Sequence, residues 1–134
     1  MKVKFLLPCV LISGITFLIA CKKNQTNQKL LVSLLHCTQR NNGPTLCFDS
    51  LVTDSRCPKM VECVWQGTAI IKVSFYEANN VHRFRMSLKG YPTSGYPGDT
   101  LINGYQIVFT DLLPYPVANN PIEKIPEASF LITP

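Results

Sequence analysis

His82, Phe84, Met86 and Leu88 alternate with Arg83, Arg85, Ser87 and Lys89, and this pattern restricts the fold more than any other feature of the chain. A period of two places all four apolar side chains on one side of a strand, whereas a helix would scatter them. A second run precedes it, with Ala69, Ile71, Val73 and Phe75 on one face and Lys72 and Ser74 on the other. Ala78-Asn79-Asn80 lies between the two runs. Asparagine tolerates left-handed backbone, so the segment predicts a hairpin turn. Tyr105, Ile107 and Phe109 mark a further strand, and Phe130 with Ile132 a last one. Leu30–Leu35 and Leu46–Val52 also read as strands, although the first is open to a helical start. Between them lie a loop from Gly90 to Asp99 and a Pro114–Pro126 segment with four prolines. No stretch has strong helical character. The expectation is an all-β domain, an antiparallel β-sandwich or small barrel of about six to seven strands.

The first twenty residues have a different character. Lys2 and Lys4 precede an apolar run from Phe5 to Ala20, interrupted by Ser13, Gly14 and Thr16. A basic start, an apolar stretch and a small terminal residue form the layout of a secretory signal. The run is shorter than the roughly 20 residues a spanning helix needs, and Pro8 and Gly14 weaken it further. It ends in Leu18-Ile19-Ala20-Cys21, which resembles the lipobox of bacterial lipoproteins. The resemblance implies that the Cys21 thiol receives a diacylglyceryl group and that residues 1–20 are removed as a signal peptide. Ordinary signal cleavage beside a chance cysteine is the alternative. Two acyl chains, palmitate for example, anchor a protein firmly where one is marginal. Lys22, rather than Asp, follows the cysteine, and no acidic run follows that. By analogy with other lipoproteins this implies the outer membrane, with the domain on its periplasmic face.

Loss of Lys2 and Lys4 with the signal lowers the net charge from +5 to +3. The remaining cations are dispersed apart from Lys22-Lys23 and Arg83/Arg85, which gives no basis for nucleic-acid binding. Residues 21–29 comprise the lipid-bearing cysteine and a wholly polar tether, and residues 30–134 form a single β-domain. Four cysteines remain for that domain: Cys37, Cys47, Cys57 and Cys63. An even number in an exported chain argues for two disulfides. Three pairings are open, and the one favoured joins near neighbours, Cys57 with Cys63 and Cys37 with Cys47. Zinc is the competing use of the thiols, but paired Cys-x-x-Cys hooks are lacking. No metal or other cofactor is expected.

The most distinctive segment runs Asp54-Ser55-Arg56-Cys57-Pro58, then Cys63-Val64-Trp65-Gln66-Gly67-Thr68-Ala69. It resembles a family of small exported proteins, many of them Bacteroidota lipoproteins, with a D-S-R-C-P and C-[VI]-W-x-G-x-A pattern. A later Pro-Tyr-Pro loop in that family is matched by Pro114-Tyr115-Pro116, so the resemblance covers roughly residues 46–134. It implies no particular activity. Cys37 and Cys47 are additions to the family's usual pair.

The residues themselves describe a stapled corner. Asp54 and Ser55 accept backbone N–H groups at a turn, Pro58 fixes the backbone, and Cys57–Cys63 closes the loop. Trp65 offers the largest apolar surface, and Gly67 permits a bulge or close packing. Arg56 has Asp54, Glu62 or the Trp65 ring as partners. A second reading displays the 57–63 loop to a partner, because a disulfide-held loop loses little entropy on binding. Lys59 would then be the protruding residue, as in a protease inhibitor. Tyr91, Tyr96 and Tyr115 lie in Pro/Gly-rich loops. Clustered at one end of a sandwich, they would stack on sugars or peptides; otherwise they plug its ends.

Catalytic signatures are lacking. There is no G-x-S-x-G, phosphate-binding loop or H-E-x-x-H, and the two histidines, His36 and His82, stand apart from any recognisable partner. An enzyme of unknown type would need a cleft uniting His82 with carboxylates. The expectation is a membrane-tethered, non-catalytic domain that binds an unidentified protein or carbohydrate or supports the envelope.

Overall fold

The computed structural model describes residues 27–90, 95–119 and 123–134. Cys21, the signal segment and Tyr91 lie outside the described residues. Eight strands follow in order: β1 (Gln28–Ser33), β2 (Cys37–Gln39), β3 (Thr45–Asp54), β4 (Ala69–Glu77), β5 (Asn80–Ser87), β6 (Asp99–Ile102), β7 (Tyr105–Leu113) and β8 (Glu127–Thr133). They form two four-stranded sheets, β1-β8-β7-β6 and β2-β3-β4-β5, whose ladders are antiparallel. The domain is all-β and the two sheets pack together as a sandwich.

Two strands exceed the six read from alternation. In β2 three residues are too few to display a period, and pairing with β3 is what defines the strand. Asp99 opens β6, although it reads as the end of a loop. Asn103 and Gly104, at φ 48° and 87°, turn this strand into β7. An Asn-Gly pair supplies both left-handed positions of a two-residue hairpin, so the signal was present in the sequence. In the β4–β5 hairpin Glu77 faces Asn80, and Ala78 rather than an asparagine takes positive φ, at 48°. β1 is a strand from Gln28, so the last two residues of the expected tether, Gln28 and Lys29, pair with Ile132 and Leu131.

The inward faces carry the alternation that predicted them. Ala69, Ile71, Val73 and Phe75 are fully buried, as are Phe48, Phe109 and Phe130 from other strands. The Phe109 and Phe130 rings lie 5.6 Å apart, and Phe75 meets Tyr105 at 5.8 Å, so aromatic pairs bridge neighbouring elements of the core. Each such ring contributes about 1.5–3 kcal/mol by leaving water. β4 also buries Ser74 on its outer side, where the hydroxyl donates to Asp49 Oδ2 at 2.6 Å. Asp49 sits at a register shift between Phe48 and Ser50, which leaves its carboxylate available for that bond.

Both disulfides expected from near-neighbour pairing are present, Cys37–Cys47 and Cys57–Cys63. Cys37 and Cys47 directly face one another across β2 and β3, so this bridge lies on the outer side of its sheet, opposite buried Leu46 and Phe48.

Strand direction gives the sandwich two distinct ends. One carries the 78–79 and 103–104 turns, joined by Asn103 Nδ2 donating to Glu77 Oε2 at 2.7 Å. The chain enters β1 at this same end, where the Thr133 hydroxyl donates to Asn27 Oδ1 at 3.1 Å. The other end carries the 55–68 loop and residues 114–117, and Asp54, Arg56 and Tyr115 of the motif segments converge there.

Candidate binding site at the stapled end

Asp54 closes the β3–β4 ladder opposite Ala69, and the chain between them leaves the sheet. Its neck is tightly bonded. The Ser55 N–H donates to the Thr68 carbonyl at 3.0 Å, while the Ser55 hydroxyl donates to that carbonyl at 2.9 Å and accepts the Thr68 N–H at 3.1 Å. A Cβ at Gly67 would stand 1.7 Å from the Ser55 carbonyl oxygen, so only glycine lets the two chains pass.

Behind the neck, Arg56 is buried with its side chain wholly out of solvent. Its Nε and Nη2 donate to the two Asp54 carboxylate oxygens at 2.8 and 2.7 Å. Nη1 and Nη2 also donate to the carbonyls of Leu112 and Pro114 at 2.6 and 3.1 Å. The guanidinium lies 4.7 Å from the centre of the Tyr115 ring. A buried charge is tolerated only when paired and fully bonded, and this one is. Arg56 therefore ties the end of one sheet to the strand leaving the other. It pairs with Asp54 and rests on Tyr115, not on Trp65.

In front of this anchor the loop is closed by Cys57–Cys63. The Lys59 N–H donates to the Pro116 carbonyl at 3.0 Å, and Lys59 Nζ lies 5.4 Å over the Tyr115 ring. Lys59 is thus exposed but held against its own domain. The apex belongs to its neighbour Met60, at φ 69°. Met60, Val64 and Trp65 are 93%, 95% and 76% exposed, with Val61 half-exposed beside them. Sequence reasoning treated Trp65 as part of the corner's internal packing, and the structure corrects this. The corner is already held by the disulfide, the neck and Arg56. Beyond the Asp54–Ala69 pair no second sheet of the described residues lies over the loop, so its apolar side chains are exposed.

A cleft of about 430 Å³ adjoins the tip, lined by Lys59, Leu113, Pro114, Tyr115, Lys124, Ile125 and Glu127. Leu113 and Ile125 expose apolar surface to it, and the two lysines place positive charge at its rim.

Of the three loop tyrosines, Tyr96 and Tyr115 fall within the described residues. Tyr115 is half-buried between Arg56 and Lys59. Tyr96 is half-buried beside β5, accepting from Arg85 Nη1 at 2.8 Å through its hydroxyl. Among the described residues no ring contact joins the two. Trp65 is the most exposed aromatic ring among the described residues, and the signal for it was the loss of alternation between Cys57 and Gln66.

His36 Nδ1 lies 3.0 Å from the Leu34 carbonyl, and the half-buried His82 has its Nε2 unpartnered among the described residues. No cluster of three or more His, Cys, Asp or Glu side chains able to hold a metal occurs among the described residues. No protein-family model, curated protein or solved structure matches the chain.

Proposed function

We propose that the chain is a lipid-anchored, non-catalytic binding module whose stapled tip docks to a partner protein of the cell envelope. The observation that carries this reading is the exposure of Met60, Val64 and Trp65 on a loop fixed by Cys57–Cys63 and buried Arg56. Apolar side chains at full exposure return about 1.5–3 kcal/mol each when a partner covers them. A loop already ordered loses little further entropy, and tryptophan is the side chain most often found at the energetic centre of an interface.

The polarity of the domain supports a partner facing away from the anchor. The chain enters β1 at the end remote from the tip, and seven peptide units separate Cys21 from Gln28, a reach of at most ~25 Å. With Cys21 lipidated and held in the outer membrane, this end faces the bilayer and the tip faces the periplasm.

A photo-crosslinking residue at position 65, compared with one at exposed Leu101 on β6, tests the reading in intact envelopes. A discrete protein adduct from position 65 and none from position 101 is the expected result. Adducts of equal yield from both, or none from position 65, overturn it. Separately, Cys21→Ser should move the protein from the membrane pellet to the soluble fraction.

A further inference from the structure

The outer side of the β2-β3-β4-β5 sheet carries a second feature, unconnected to the tip. Lys72 faces Arg85 directly across β4 and β5, and Arg83 stands two residues along the same strand opposite Ser74. Ile71 and Val73 point into the core, so Lys72, Arg83 and Arg85 all project outward, and all three are exposed. Their Cβ atoms are separated by about 5–8 Å, as for direct and diagonal neighbours in any antiparallel pair. Like charges placed directly opposite destabilise a sheet. Here the repulsion is only partly offset: the ion pairs found among the described residues are Arg56–Asp54 and Lys89–Asp99, and neither involves this face. Asp49 lies on the same side, where its carboxylate accepts from Ser74 at 2.6 Å, so one negative charge stands against the three cations. Arg85 donates to the Tyr96 hydroxyl and leans over its ring at 5.6 Å, which fixes the guanidinium without neutralising it.

Two aromatic residues flank the cations. Tyr76 faces Val81 on the row next to Arg83, partly exposed, and Tyr96 stands beyond Arg85. An excess of cations between two tyrosines on one sheet face matches a linear polymer that has an acid group on successive units and apolar ring faces between them. We propose that this face binds an acidic polysaccharide, with Lys72, Arg83 and Arg85 on its carboxylates and Tyr76 as a stacking platform. An anionic bilayer would also meet the charge, but the most exposed apolar side chains that would enter it, Met60, Val64 and Trp65, lie at the tip, and on this face β4 and β5 add only the part-exposed Tyr76 and Val81.

The full chain in detergent is tested on immobilised polygalacturonate, with neutral dextran and phosphatidylglycerol-containing vesicles beside it. Selective retention on polygalacturonate that falls steeply with added salt is expected. Combined Lys72→Gln, Arg83→Gln and Arg85→Gln should weaken it about tenfold or more. The same variant should melt no lower than the parent, because repulsion has been removed. Trp65→Ala should leave retention unchanged, which separates this site from the tip. Equal retention on dextran, retention indifferent to the three substitutions, or tighter binding to the vesicles than to the polymer would each overturn the assignment.

Discussion

At one end of the sandwich two-residue turns close the β4–β5 and β6–β7 hairpins, while at the other residues 55–68 leave the sheet in a long loop held by its own neck and staple and by bonds to distant segments. The first end is held by local chemistry: Asn103 and Gly104 supply positive φ, and Asn103 bonds Glu77 across the sheets. The second is held by a buried cation whose partners at Leu112 and Pro114 lie 56 and 58 residues away in sequence. The turn end exposes fewer large apolar side chains, Leu101 foremost. The stapled end carries Met60, Val64 and Trp65 in solvent on a loop that is tied down. That combination of restraint and exposure is what motivates the proposal that a partner covers the tip.

This contrast can be broken by experiment, beginning where it should fail hardest. Asp54→Ala leaves the Arg56 charge buried without its counter-ion, and we expect about 3–5 kcal/mol of lost stability in urea denaturation. A loss below about 1 kcal/mol would mean that Arg56 is not the anchor of the end. Gly67→Ala forces Ser55 to move and should cost up to about 3 kcal/mol in the same assay. Removing the tip staple with Cys57→Ser and Cys63→Ser should cost roughly 2 kcal/mol on the chain-entropy model and speed amide exchange across residues 57–66. Removing Cys37 and Cys47 should cost a similar amount and leave exchange at the tip unaltered, because that bridge joins sheet strands.

At the turn end the effects should be smaller. Gly104→Ala places a side chain at φ 87° with open space around it, so strain alone contributes, on the order of 1 kcal/mol. Smallest of all, Trp65→Ala should change the melting free energy by no more than about 0.5 kcal/mol while abolishing the position-specific partner contact. If Trp65→Ala destabilises the domain as much as Asp54→Ala does, the tip belongs to the fold and not to a partner.

Much of the architecture was legible. Strict alternation in 69–75 and 82–88 fixed the inward faces, since a pleated strand leaves no other way to segregate these side chains. The near-neighbour cysteine pairing was the favoured one of three open in the sequence, and both bridges are present. β2 and β6 were not legible from periodicity, because strands of three and four residues show less than two full repeats. Asn103-Gly104 did announce the second hairpin, and its weight exceeded that of the loop-like residues before Asp99. The candidate site was half legible. Asp54, Arg56, Cys57 and Gly67 marked a constrained corner, but the choice of Tyr115 over Trp65 as the ring beneath Arg56 depended on where β7 ends.

The sequence alone determined that this chain builds β-strands with one apolar face, because that is a consequence of spacing along the backbone. For the four cysteines it favoured near-neighbour pairing among three open ones, and the structure made the choice. It also carries, in the residues ending at Cys21, the pattern from which membrane attachment is proposed. Tertiary structure decided which large apolar side chains stay outside. Trp65 is a large apolar side chain like the buried phenylalanines, yet among the described residues no neighbouring layer reaches over the loop that carries it. Likewise Lys72, Arg83 and Arg85 are scattered single charges along the chain and become one patch only when β4 and β5 pair. Burial and charge density are properties of what lies opposite a residue, and what lies opposite is set by the packing of the sheets.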